Sequence, residues 1–103
     1  MKLTSTSIAD GARIGTPYLE PGLGGDNTSP QLSWSPGPDG TGSYAVTCYD
    51  PDAPTGSGWW HWIVTDIPAE VTSLPEGGPL PEGAREWRND YEYLGWGGPW
   101  PPP

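Results

Sequence analysis

Glycine and proline interrupt this chain throughout, as 16 and 15 of its 103 residues. No stretch shows helical periodicity, and punctuation at this density favours short extended segments joined by loops. The same content is also a signature of low-complexity disorder. Aromatic residues decide between the two readings. Seven tryptophans and five tyrosines are foreign to disordered chains, and burying each removes about 150–250 Å² from water. The chain therefore reads as one loop-rich all-β domain over residues 1–103, with a small core.

Four stretches read as strands. Gln31–Ser35 alternates around Leu32 and Trp34, and Tyr44–Tyr49 puts Tyr44, Val46 and Cys48 on one face. Trp59–Asp66, rich in aromatic and β-branched residues, is the strongest, and a weaker strand is expected near Ile8. From Pro75 onward the Pro/Gly-rich sequence reads as covering loops, ending in the polyproline-II-like GWGGPWPPP. Four strands make a marginal sheet with exposed edges.

Charge narrows the function classes. The net charge is −9 with only four basic residues, so no nucleic-acid partner is expected, nor an anionic membrane surface. A single cysteine, Cys48, excludes an internal disulfide and any multi-cysteine zinc site. No metal or cofactor is expected. Neither an apolar leader nor a transmembrane-length run is visible, and the expected compartment is the cytoplasm. The glycosylation triplet Asn27-Thr28-Ser29 is read as chance.

The chemistry concentrates in DPDAPTGSGWWHWIV, residues 50–64, which holds the only histidine, His61. Asp50 continues the inward face of the preceding strand. Pro51 and Pro54 stiffen the turn after it, and the Ala53–Pro54 bond is a candidate for the cis form. Strand alternation groups Trp59, His61, Ile63 and Thr65 on one face, with Trp60, Trp62 and Val64 on the other. Two adjacent antiparallel strands could set Asp50 beside His61, and a carboxylate there would fix the imidazole tautomer. Such a pair, walled by indole, suits one phosphate or carboxylate group. On residue type alone, however, a lone histidine in an aromatic strand is more often a core residue, and Asp-Pro more often a turn former. A triad of Ser57, His61 and Asp50, or a thiol pair of Cys48 with His61, can be composed, but no G-x-S-x-G elbow supports either. No enzymatic activity is expected.

The ordered set of motifs resembles the phosphatidylethanolamine-binding protein family, with its bacterial Raf-kinase-inhibitor-like members. D-P-D-A-P followed by W-x-H-W-[IV]-V is similar to the family's first signature region. ADG at 9–11, G-x-N-x-SP-x-L-x-W at 25–34, VTDIPA at 64–69, RNDY at 88–91 and GWGGPWPP at 95–102 fall in the family's order. The resemblance implies a β-sandwich with a small cavity for phosphate, phosphorylethanolamine, acetate or similar anions. It implies Asp50 and His61 as the polar pair of that cavity, Pro54 and Trp59 as its wall, and Gly98 and Pro99 near its mouth, with Asp52 holding the turn. For some members it also implies kinase or protease regulation through a protein partner, the alternative to small-anion binding.

The departures matter too. In the family a glycine-rich turn and an H-R-Y motif follow G-G-P-x-P-P, on a strand that supplies a second pocket histidine and a tyrosine. This sequence stops before them, so the resemblance implies a C-terminally shortened, incomplete sandwich that binds weakly. Glu92 stands where the N-D-[YF]-G pattern has glycine, and Trp100 where bacterial relatives often carry cysteine. Glu92 would cost stability if that position has positive φ.

Overall fold

A computed structural model describes residues 1–101. Six strands follow in order: β1 (Leu3–Thr4), β2 (Leu32–Trp34), β3 (Ser43–Asp50), β4 (Trp59–Pro68), β5 (Ser73–Leu74) and β6 (Arg85–Glu86). Two short 3₁₀ turns, Thr16–Tyr18 and Pro21–Leu23, each carry a proline at their start and bridge β1 to β2. The strands form two antiparallel three-stranded sheets, ordered β1-β2-β5 and β3-β4-β6. The all-β expectation holds.

Both sheets feed one core. Trp62, Val64 and Ile67 from β4 and Leu74 from β5 are at most 1% exposed, each contributing about 1.5–3 kcal/mol through burial. Leu32 and Trp34 of β2, Tyr44 of β3, Tyr18 and Trp96 complete the cluster. Trp34 meets Tyr44 edge-on, with centroids 5.6 Å apart, and so ties one sheet to the other.

The central hairpin does not follow simple alternation. Cys48 pairs with Trp62 but Tyr49 pairs with Trp60, which leaves His61 as an extra residue on β4. A second extra residue falls where Tyr44 pairs with Ile67 and Val46 with Val64; Asp66 there has φ of 58°. Bulges change which face a side chain takes. His61 and Trp62 are therefore both buried although adjacent, and Trp60 turns outward to stack on Tyr49, with centroids 4.4 Å apart. The expected grouping of Trp60 with Trp62 and Val64 fails for this reason.

Other boundaries also shift. The weak strand expected near Ile8 lies instead at Leu3–Thr4, while β6 falls in a region read as loop. Two-residue strands carry too little periodicity to be seen in sequence. Among the described residues the cis peptide is Gly78–Pro79 and not Ala53–Pro54. The end of the polyproline-like tail, residues 102–103, lies outside the described residues. No helix among the described residues is long and apolar enough to cross a membrane.

Candidate functional site

The site begins where β3 hands over to β4. Asp50 closes β3 opposite Trp59, and its Oδ1 accepts the Asp52 amide at 2.9 Å. This local side-chain bond bends the chain into the 51–58 loop. Tyr49 Oη donates to the Ser57 carbonyl at 2.8 Å, and Thr55 Oγ1 to the Gly58 carbonyl at 2.6 Å. The loop is thus closed on itself, and the exposed Ser57 makes no hydrogen bond to His61 among the described residues.

His61 is fixed from both backbone and ring. The Gly97 amide donates to the His61 carbonyl at 2.8 Å, and His61 Nδ1 lies 2.6 Å from the Gly97 carbonyl. A carbonyl only accepts, so Nδ1 carries the proton and Nε2 is left as the ring's remaining polar atom. Nε2 has no protein partner among the described residues. Asp50 makes no hydrogen bond or ion pair to His61 there either. Backbone Gly97, and not Asp50, sets the tautomer.

A third wall comes from the RNDY segment. Asn89, 4% exposed, donates from Nδ2 to the Gly95 carbonyl at 2.9 Å and accepts the Tyr91 amide at 2.9 Å. Asp90 grips the start of β4 by accepting the Trp60 amide at 2.8 Å and donating its own to the Trp60 carbonyl at 2.9 Å. Tyr91 is thereby held edge-on to Trp59, 5.2 Å away, and 5.9 Å from His61 between ring centroids. Its hydroxyl donates to the Gly98 carbonyl at 2.7 Å. Burial first, then the Glu20 and Tyr93 charges, push its phenol up to about 12.

These parts enclose an open cleft of about 720 Å³. The 50–55 turn contributes Asp50, Asp52 and Pro54, the C-terminal run contributes Pro99, Trp100 and Pro101, and Trp59, His61 and Tyr91 complete the main lining. Gly98 does not line it and stands behind the wall. Its amide donates to Asn27 Oδ1 at 2.7 Å, and a Cβ there would lie 2.1 Å from the Tyr18 carbonyl oxygen. Gly98 positions Tyr91 through the hydroxyl bond its carbonyl accepts. Trp59 keeps its indole N–H buried without a hydrogen-bond partner among the described residues, a donor state that folded proteins rarely leave.

Sequence reasoning missed Tyr91 and Trp100 as lining residues. Alternation cannot bring a loop residue across thirty positions to β4; only the RNDY match pointed there. Asn27 is likewise no glycan acceptor in this fold. Its amide nitrogen donates to the Trp96 carbonyl at 3.0 Å while its oxygen holds Gly98. Cys48 is unsuited to nucleophilic work, because burial and then the Asp50 charge push its thiol up.

The family model for phosphatidylethanolamine-binding proteins matches residues 4–103. The chain belongs to the phosphatidylethanolamine-binding protein family. Within it, UPF0098 protein YbcL of Escherichia coli K12 is 53% identical over 98% of this chain and 60% of its own length. UPF0098 protein YbhB of the same organism is 46% identical, over 99% of this chain and 69% of its own. The YbcL crystal structure superposes with a TM-score of 0.92, covering 98% of this chain and 66% of that one. A phosphatidylethanolamine-binding protein homolog from Chlamydia trachomatis, 32% identical, gives 0.83 over 97% of this chain and 65% of its own. The chain thus spans about two thirds or less of most of these relatives. The family fold accounts for the shared sheets and for the ordered motifs around the cleft.

Proposed function

We propose that the cleft binds a small oxyanion that carries its own proton, such as the monoanion of phosphate or of phosphorylethanolamine, and does so without turnover. The observation that carries this reading is the commitment of His61 Nδ1 to the Gly97 carbonyl, which leaves only Nε2 to address a ligand. The lining holds two carboxylates, Asp50 and Asp52, and no lysine or arginine. A bare dianion would meet net repulsion there. A monoanion can donate its P–OH to a carboxylate and accept from Nε2–H once the ring is doubly protonated. Its organic substituent would rest on Pro54, Trp59 and Tyr91.

Charge-assisted hydrogen bonds contribute about 1.5–3 kcal/mol each, so two of them correspond to a dissociation constant around the millimolar range. Phosphate monoesters lose their second proton near pH ~6, so the protonated monoanion gains over the dianion as pH falls. Affinity should therefore rise on going from pH ~8 to pH ~6. The test is an NMR titration of the His61 ring signals with inorganic phosphate and with phosphorylethanolamine at both pH values. Saturable shifts, larger at the lower pH and absent from neighbouring resonances in His61→Ala, are expected. No shift at tens of millimolar, or tighter binding at the higher pH, would overturn the proposal. Equal affinity for the two ligands would assign the cleft to the phosphate group alone.

A further inference from the structure

A second cavity, of about 390 Å³, shares no lining residue with the His61 cleft. Its walls are the 27–29 and 77–80 loops, and Trp62 and Trp96 form its floor. Those two indoles stand perpendicular, with ring centroids 5.6 Å apart. The walls are tied together by the Gly77 amide, which donates to the Ser29 carbonyl at 2.9 Å. Next to Gly77, Glu76 accepts from Ser7 Oγ at 2.6 Å and from Tyr18 Oη at 2.5 Å. Asn27 is fixed by its bonds to Trp96 and Gly98. Bonds within the chain therefore shape this cavity in advance of any ligand.

Among its lining residues Glu86 alone is charged. Glu86 Oε2 accepts the Trp62 indole N–H at 2.9 Å, and the carboxylate has no other hydrogen bond and no ion pair among the described residues. Both nearby arginines are engaged elsewhere. The Arg85 guanidinium lies over the Trp87 ring, 4.5 Å from its centroid, and Arg88 Nη1 donates to the Glu92 carbonyl at 2.7 Å. Gly95 lets the carboxylate lie close, since a Cβ there would stand 3.2 Å from Glu86 Oε2. Its φ of 100° also suits glycine. The Thr28 and Ser29 hydroxyls, both half-buried, make no hydrogen bond among the described residues. The lining thus presents a carboxylate with unused lone pairs and two hydroxyls beside the apolar Pro79, Leu80 and indoles.

We propose that this cavity binds a small organic ammonium, a primary amine on an apolar body, as a site separate from the anion cleft. The ammonium donates to the Glu86 carboxylate and to a hydroxyl of Thr28 or Ser29. Its apolar body packs on Trp96, Pro79 and Leu80. Glu86 repels an anion, and one carboxylate supplies too few ligands for a metal ion. The net charge of −9 adds a long-range attraction for cations, which salt screens.

The Trp62 indole N–H reports on the site directly, because it shares the Glu86 carboxylate. The test follows its NMR signal while the chain is titrated at neutral pH with phenethylamine, and separately with 2-phenylethanol. The alcohol keeps the ring and replaces the ammonium by a hydroxyl. A saturable shift with the amine at millimolar concentration, weakened by added salt, is expected, with the alcohol at least roughly tenfold weaker. Glu86 is exposed, and Glu86→Gln keeps an oxygen for the Trp62 N–H. A dispersed Trp62 signal in that variant verifies its fold, and its response to the amine should be lost. Asp50→Asn, which alters the other cleft, should keep the response. No saturable shift at tens of millimolar amine would overturn the proposal, as would equal responses to amine and alcohol. A response that survives Glu86→Gln, or one lost in Asp50→Asn, would place the amine elsewhere and overturn it too.

Discussion

Removing the Asn89 side chain is a direct test of how the cleft is assembled. Asn89→Ala deletes two well-formed hydrogen bonds, to the Gly95 carbonyl and from the Tyr91 amide, both 2.9 Å. A third, from the Tyr93 amide, is 3.4 Å and adds little. At about 1 kcal/mol net for each short bond, the direct loss is about 2 kcal/mol. Gly95 is buried, so its orphaned carbonyl costs about 1–3 kcal/mol more. The sum, about 3–5 kcal/mol, is a large share of the stability of a small domain. It corresponds to a fall in Tm of about 12–40 °C. Urea unfolding followed by tryptophan fluorescence measures it, since Trp62 and Trp96 sit in the core. Asn89→Asp sharpens the test, because a carboxylate keeps the acceptor but turns a lone pair toward the Gly95 carbonyl. That variant should recover stability as pH falls and the acid becomes a donor. A midpoint for Asn89→Ala within about 1 kcal/mol of wild type would refute the reasoning.

Three other outcomes are expected. Glu92 holds φ of 75°, where a side chain costs about 1–2 kcal/mol while glycine loses about 0.5–1 kcal/mol in backbone entropy. Glu92→Gly should therefore stabilise by about 0.5–1 kcal/mol in the same urea assay, whereas Glu92→Ala, which keeps the strain, should not. Gly98→Ala sets a Cβ 2.1 Å from the Tyr18 carbonyl oxygen and 2.6 Å from the Glu20 nitrogen, backbone atoms that cannot step aside. It should destabilise by more than about 2 kcal/mol and expose Tyr91 to earlier ionisation in an alkaline spectroscopic titration. The third outcome concerns pH. Hydrogen bonds from Ser7 and then Tyr18 hold the Glu76 carboxyl below its ordinary value of 4.5. A carboxyl depressed on folding contributes stability that is complete above its unfolded value and lost as pH falls through its folded value. Ser7→Ala should lower stability in the neutral region and flatten the acid limb, converging on the wild type once the carboxyl is protonated. Tyr91 behaves in the opposite sense: its contribution is complete below pH 10.0 and disappears as pH rises toward about 12.

The legible part of the fold was the part with long-range periodicity. The sequence-predicted strands 44–49 and 59–66 match β3 and β4 to within two residues at each end, and 31–35 contains β2. Their adjacency brings Asp50, Pro54, Trp59 and His61 to one cleft. What alternation could not show was the bulge at His61, which has no composition of its own and reverses the facing of Trp60. The two-residue strands β1, β5 and β6 were also invisible, since pairing with a longer neighbour is what makes them strands.

By itself, then, the sequence determined an all-β chain, its family, and a stiff aspartate-proline turn leading into a strand with one histidine. Those properties reside in local residue type and short-range order. Only the tertiary structure decided which atoms of that histidine are free. Gly97 lies thirty-six positions from His61, and its carbonyl takes the bond that a neighbouring aspartate was expected to make. The same is true of Tyr91, held locally by Asn89 and Gly98 and brought to β4 by Asp90, which bonds Trp60 thirty positions away. Hydrogen-bond partners are a property of the folded backbone path, and no local pattern of residues encodes them one by one.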